Sequence, residues 1–241
     1  MKRWMYRAWS PETEAAGAFF RRAASETKRE TSENAMRAAG VSALSVFGGD
    51  GHWFLYAETK SEAEAQQRSG IGDGQGSGEE GEYSAFDPER FFPGAQSVLA
   101  AWPGKPERRL FAPMADIFHY QRPAEKEHWR RKSASESFGR VARLKPDKIS
   151  SYVFYHYQYQ EEKPGDGDKY GIIGLHENLL FFYAERPSTV EAPPYEGTLN
   201  TRNTPEDWGA VMQPHFIEWQ GAGDGQRVWM NLERAFDLRL E

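Results

Sequence analysis

The sequence predicts an α+β fold: two ferredoxin-like repeats that close face to face as a pseudo-dimeric α/β barrel within one chain. Three observations carry this reading. The phrase WFLYAE (residues 53–58) returns as LFFYAE (residues 180–185), 127 residues later. Around it lie further matches in the same order. WMYRAWSP (4–11) answers DIFHYQRP (116–123), FFRRAASET (19–27) answers HWRRKSASES (128–137), and Trp102-x-Gly104 answers Trp219-x-Gly221. Each half also reads strand, helix, strand, strand, helix, strand, the split β-α-β pattern. Such a unit leaves one sheet face without helices, so a second copy in the same chain supplies the cover. The first repeat takes residues 1–113 and the second residues 114–241.

Along the first repeat, residues 2–9 alternate as a strand. Residues 12–39 have helical composition and stop at Gly40. Residues 41–47 and 52–58 form a hairpin across GGDG, a turn signal. Residues 88–101 read as the second helix. Residues 108–121 form a closing strand that also opens the second repeat. There, residues 128–144 read as helix and residues 150–160, 170–175 and 178–185 as strands. Residues 205–219 read as helix and 227–238 as the last strand. The Gly-rich acidic insertion 69–82 lacks a Gly-Lys-Ser/Thr cradle and reads as a surface loop. Residues 161–169 read as a polar hairpin loop.

Bulk composition narrows the function. Of 241 residues, 39% are hydrophobic and 14% aromatic, which suits a packed core with flat faces for stacking. Net charge is -6 and the basic residues are mixed with acids, so no basic stripe for nucleic acid is expected. The absence of cysteine excludes disulfides, thiol catalysis and iron–sulfur ligation. No signal-like apolar run follows the N-terminal charges, and no stretch approaches the ~20 apolar residues of a membrane span. The expectation is a cytoplasmic protein with no membrane partner. Further oligomerisation is not legible.

IFHYQRPAEKEHWRRK (117–132), YGIIGLHENLLFFYAE (170–185) and RFFPGAQSVLAAWPGKP (90–106) resemble segments of the L-rhamnose mutarotase family, whose members are dimeric α/β barrels. The resemblance implies that one chain here carries both subunits. It also implies a sugar or sugar-acid ligand, anomer interconversion by general acid–base catalysis, and no cofactor. The family's Tyr position matches His128 and its His position matches Lys132. The first repeat has Phe19 and Ala23 there, or Arg21 if no gap is allowed. The aromatic pair matches Phe91 and Phe92.

Mutarotation needs one group to protonate the ring oxygen and another to take the anomeric proton. His128 titrates near neutrality unaided, whereas Lys132 needs its pKa lowered by burial or by neighbouring cations. At i, i+4 on a helix both would project from one face; the same segment also reads as a charged, solvated face. Trp129, Trp208 and His119 are candidate wall residues. His156, in YVFYHYQYQ, either faces a ligand cavity across a polar strand face or belongs to an ordinary half-exposed strand. Arg21, Arg22, Arg130 and Arg131 either bind an anionic substrate or pair with Glu26, Glu127 or Glu136 at the surface. Glu58 and Glu185 either flank a pocket mouth or simply end their strands. No HxH or HExxH occurs, and no metal is expected. Two alternatives stand beside the mutarotase: a non-catalytic binding or assembly protein of the dimeric α/β barrel superfamily, and a cofactor-free or haem-binding monooxygenase-like barrel, with His119 or His156 as the haem ligand.

Overall fold

The computed structural model describes residues 1–60, 86–103, 108–124, 129–130, 135–223 and 225–240. The chain opens with strand β1 (Lys2–Trp9), helices α1 (Thr13–Ala23) and α2 (Glu26–Ala38), and the hairpin β2 (Val41–Gly49) and β3 (His52–Thr59). β4 (Ala112–Pro113) and β5 (Ala115–His119) follow, then β6 (Glu136–Leu144), α3 (Ile149–Glu162) and the hairpin β7 (Ile172–His176) and β8 (Leu179–Arg186). The chain ends with α4 (Trp208–Met212), β9 (Phe216–Ile217), β10 (Met230–Asn231) and β11 (Glu233–Arg239).

Both hairpins fall where turn chemistry places them. Asp50 and Gly51 take φ of 50° and 76°, the left-handed pair that a tight hairpin turn requires. Gly40, at φ 65°, ends α2 as expected. Elsewhere the expectations change. The single helix 12–39 divides at Ser25, which is extended and whose hydroxyl donates to the Arg22 carbonyl at 2.7 Å. The helix expected at 88–101 is reduced to two short 3₁₀ turns around Pro93 and Gly94. The helix expected at 205–219 is the five-residue α4, ended ahead of Pro214.

The largest correction lies in the second half. Residues 136–144, expected as helix, form β6, and residues 150–160, expected as strand, lie within α3. In β6 the period of two was present but masked by Arg140 and Arg143. In α3 a run of aromatics mimicked strand alternation, while Tyr152, His156 and Tyr159 recur at helical spacing. Residues 161–169 therefore close α3 and lead into β7 rather than joining two strands. The insertion 69–82 lies outside the described residues.

All pairings are antiparallel. The first sheet runs β11-β2-β3-β1-β4 and the second β5-β7-β8-β6-β10, with β9 also on β6. The orders correspond position by position, making β6, not β5, the counterpart of β1. The proposed match of segment 4–11 with 116–123 is thus corrected, as is that of 19–27 with 128–137. The outermost strands are exchanged: β5 follows β4 but joins the second sheet, and β11 follows β10 but joins the first. Both crossings are tied alike, by Met114 N donating to Met5 O at 2.9 Å and Leu232 N to Gly139 O at 3.0 Å. Trp102 and Trp219 make like contacts. Trp102 N donates to Arg109 O and its indole to Leu110 O, while Trp219 N donates to Arg227 O and its indole to Val228 O.

The sheets pack face to face, with α1 and α2 on the outside of the first and α3 and α4 on the outside of the second. Between them the repeated phrase meets itself. Phe54 stacks on Phe181 at 5.0 Å, and Tyr56 on Tyr183 at 3.6 Å with planes 10° apart. Close approach is possible because β6 carries Gly139, where a Cβ would sit 2.9 Å from the Phe47 ring. The phrase ends in Glu58 and Glu185, both fully buried, and Arg130 lies between them. Its Nε donates to Glu58 Oε2 at 2.9 Å and its terminal nitrogens reach both carboxylates. The hydroxyls of Tyr56 and Tyr183 donate to the glutamate beside each, at 2.6 and 2.7 Å. Trp129 adds an indole donor to Glu58 at 3.1 Å, and Arg239 reaches Glu185 at 3.3 Å. Burial alone would raise the Glu58 carboxyl. The charge and hydrogen bonds of Arg130, with Tyr56 and Arg3, overcome it and hold Glu58 below its ordinary value.

Replacing Arg130 by Met should cost about 3–5 kcal/mol of stability, because two dry carboxylates lose their shared cation. Urea unfolding measures it, and a change within about 1 kcal/mol would mean that the network behaves like a surface pair. The Glu58 contribution is complete at neutral pH and is lost as pH falls through its lowered value. Glu58→Gln should therefore be less stable at neutral pH and lose less on acidification.

Candidate functional site

The outer face of the second sheet carries one cross-strand row. Phe118 on β5 pairs with Ile173 on β7, Ile173 with Phe182 on β8, and Phe182 with Arg140 on β6. The matching row of the first sheet is Phe236, Val46, Leu55 and Tyr6. Over the first row the space is filled. Phe92 packs edge-on to Phe236 at 5.2 Å and to Phe20 at 5.1 Å, and Tyr6 gives its hydroxyl to the Phe86 carbonyl. Over the second row there is a cavity of about 470 Å³, within the range of small-molecule sites.

Its floor is the row itself. Its roof is the inner face of α3, together with α4 and the segments around Phe216 and Trp229. Tyr152, His156 and Tyr159 face the sheet because i, i+4 and i+7 share one helix face. Asp207 starts α4 by accepting from Ala210 N at 2.9 Å, which sets Trp208 against His156 at 4.9 Å between ring centroids. His156 stands edge-on over Phe118 at 5.2 Å. The polar groups of the wall are His156, Arg140, Gln213, the tyrosine hydroxyls and the indole N–H groups of Trp208 and Trp229.

His156 is 5% exposed, and its Nδ1 lies 2.9 Å from the Tyr152 carbonyl oxygen. A carbonyl only accepts, so Nδ1 carries the proton and Nε2 keeps its lone pair. Burial lowers its pKa to about 4, against the backbone hydrogen bond, with His215 adding to the lowering. At neutral pH it is an acceptor with a fixed tautomer.

His156 and Trp208, two of the expected wall residues, meet at this cavity. The others lie elsewhere. His119 is on β5, with Nδ1 2.9 Å from Asp116 Oδ2. Trp129 is in the inter-sheet core on Glu58, and Phe91 and Phe92 pack in the first outer core. His128 and Lys132 lie outside the described residues. The helix meant to align them is absent from Trp129 and Arg130, which are irregular, and from Glu136–Leu144, which is strand. Arg130, expected at the surface or on a substrate, is the cation of the buried network, and Arg21 pairs with Glu233. Glu58 and Glu185 are symmetric, in the dry interface rather than at a mouth. Sequence reading missed Arg140, whose only signal was a charge alternating with Phe138 and Ala142 on one face of its strand. Among the described residues no group of His, Asp or Glu is placed to hold a metal, and no helix is long and apolar enough to cross a membrane.

No protein-family model matches the chain, and no curated protein matches it. Two solved structures are similar over nearly the whole length, both provisionally described as monooxygenases. One, from Fusobacterium nucleatum, is 9% identical, with a TM-score of 0.42 over 98% of this chain and 93% of its own. The other, from Lactobacillus acidophilus, is 7% identical, with a TM-score of 0.41 over the full length of both. No argument about this chain's activity rests on likenesses of that strength.

Because the folded value of His156 lies below its unfolded one, the unfolded chain takes the proton first. Stability from this residue is lost as pH falls from about 6.5 to about 4. Nitrogen-resolved NMR should show the Nδ1–H tautomer persisting to near that lower limit. Protonation near the ordinary histidine value would refute the buried placement.

Proposed function

We propose that this chain is a tandem of two ferredoxin-like units forming a pseudo-dimeric α/β barrel, and that its second unit binds a flat, largely apolar small molecule carrying a hydrogen-bond donor. The matching strand orders and the exchanged β5 and β11 support the tandem reading. One observation carries the binding reading: a neutral, tautomer-fixed His156 at the wall of a hollow whose counterpart in the first unit is filled with phenylalanine. Nε2 of His156 accepts the ligand's O–H or N–H, and the edge-on rings around it hold a plane.

The wall favours an aromatic ligand over a sugar. A pyranose presents hydroxyls on most carbons, and each needs a partner once buried. Here rings and aliphatic side chains dominate. The mutarotase reading stays attached to His128 and Lys132, which lie outside the described residues.

A histidine so hard to protonate is a weak base in the free protein. Proton transfer becomes effective when negative charge developing on the ligand raises it toward neutrality. With a phenol as ligand, proton transfer to Nε2 leaves an anion that can give one electron to dioxygen; the ring radical and superoxide then join as a hydroperoxide, which loses water to leave a quinone, so dioxygen is both oxidant and oxygen source. An oxygenase-type reaction is therefore the catalytic extension of this reading.

Naphthalen-2-ol should bind the full chain in a calorimetric titration, and L-rhamnose should not. His156→Phe should weaken the naphthol by about tenfold, the worth of one neutral hydrogen bond, while leaving naphthalene unaffected. Equal loss for both, or binding of L-rhamnose in preference, would sink the assignment. Oxygen uptake with the bound naphthol tests the catalytic extension, and a Soret shift on adding haemin would redirect the site to iron.

A further inference from the structure

The cavity carries a cation that the fold does not use. Arg140 ends the floor row, and it has no ion pair or hydrogen bond to its side chain among the described residues. Its Nε is buried without a partner. At the matching position of the first sheet, Tyr6 is satisfied by the Phe86 carbonyl. A second cation, Arg186, acts on Arg140, and both guanidiniums lie over the Phe138 ring, at 5.5 and 4.4 Å from its centroid. Burial and that like charge both lower its pKa. A positive field without an acid is an unfavourable arrangement for the empty protein and a favourable one for an anion.

We infer that the ligand of this cavity is an aromatic acid, whose carboxylate pairs with Arg140 at one end while its donor group reaches His156 at the other. This rests on the binding reading above and adds charge and length to it. His156 stands over Phe118, and Arg140 is three strands away along the row. Strands are about 4.8 Å apart, so the row spans roughly 14 Å between its end backbones. The Arg140 guanidinium lies along its own strand over Phe138, so the ligand itself crosses most of the row. Two fused rings with the carboxylate and the hydroxyl at opposite ends reach further than one ring does.

Calorimetry on the full chain with naphthalen-2-ol, 2-naphthoate and 6-hydroxy-2-naphthoate tests this. The hydroxynaphthoate should bind about 10- to 100-fold more tightly than the naphthol, the scale of a charge-assisted pair, and added salt should erode the difference. Arg140→Met should abolish that advantage and leave the naphthol unchanged. Arg140→Lys should keep part of it. Since Arg140 is unpaired, Arg140→Met should melt no lower than the wild type, which separates lost binding from lost folding. Equal affinity for naphthol and hydroxynaphthoate in the wild type, or an equal effect of Arg140→Met on both, overturns the inference and leaves the pocket. Failure of all three probes to bind overturns the pocket reading and this inference together.

Discussion

Two carboxylates facing each other in a dry interior stay ionised only if a cation lies between them, and Arg130 is that cation. It ties the first sheet to the second. Its guanidinium reaches Glu58 and Glu185 at once, while Tyr56 and Tyr183 stack and give a hydroxyl to each acid. The tyrosine hydroxyls are pushed well up by burial, so they stay protonated and serve as donors. The constraint explains the spelling of the repeated phrase. Its inward positions, Phe-x-Tyr-x-Glu, meet their own copies across the interface, whereas Trp53 and Leu180 point outward into separate cores.

The same constraint bears on why the two sheets lie in one chain. In a symmetric pair of identical chains every arginine occurs twice, and a second Arg130 would compete for the one place between the glutamates. Joining the halves lets the axis hold a single side chain. Once the halves differ there, they can differ elsewhere. On the tandem reading, fusion is what allows a shared core and unequal outer cores.

The sequence carried the parts of this arrangement that are local. Both hairpins follow from turn residues and alternation, and the outer strand β11 from its apolar period. The doubled phrase pointed to two facing sheets, although the phase of the second half was read one element early. That slip has a physical source. β6 hides its alternation behind arginines, and α3 is built from tyrosine, phenylalanine and valine, residues that favour strands until the sheet below offers a helix somewhere to pack. The network was not legible, because Arg130 lies 72 residues from Glu58 and 55 from Glu185. Nor was the cavity, which is missing volume between elements distant in the chain. His156 and Trp208 were visible as aromatic and polar residues, but their meeting depends on α3 being a helix.

A hollow and an unpaired arginine both cost stability, and a fold keeps them only where other contacts hold the frame. Here the frame is lopsided in a useful way. The first sheet is packed solid on both faces, with phenylalanine, tryptophan and leucine covering its outer row. The second sheet is fixed from its inner face by the stacked rings and the Arg130 network, so its outer row is free to be left open. Changing the row from Phe236, Val46, Leu55 and Tyr6 to Phe118, Ile173, Phe182 and Arg140 replaces one satisfied hydroxyl with a cation whose Nε has no partner. Changing the cover from Phe92 and Phe20 to His156 and Trp208 replaces ring-filled space with a lone pair at the edge of a void. Both changes are tolerable because the inner face holds β6, β7 and β8, three of the four strands of the row.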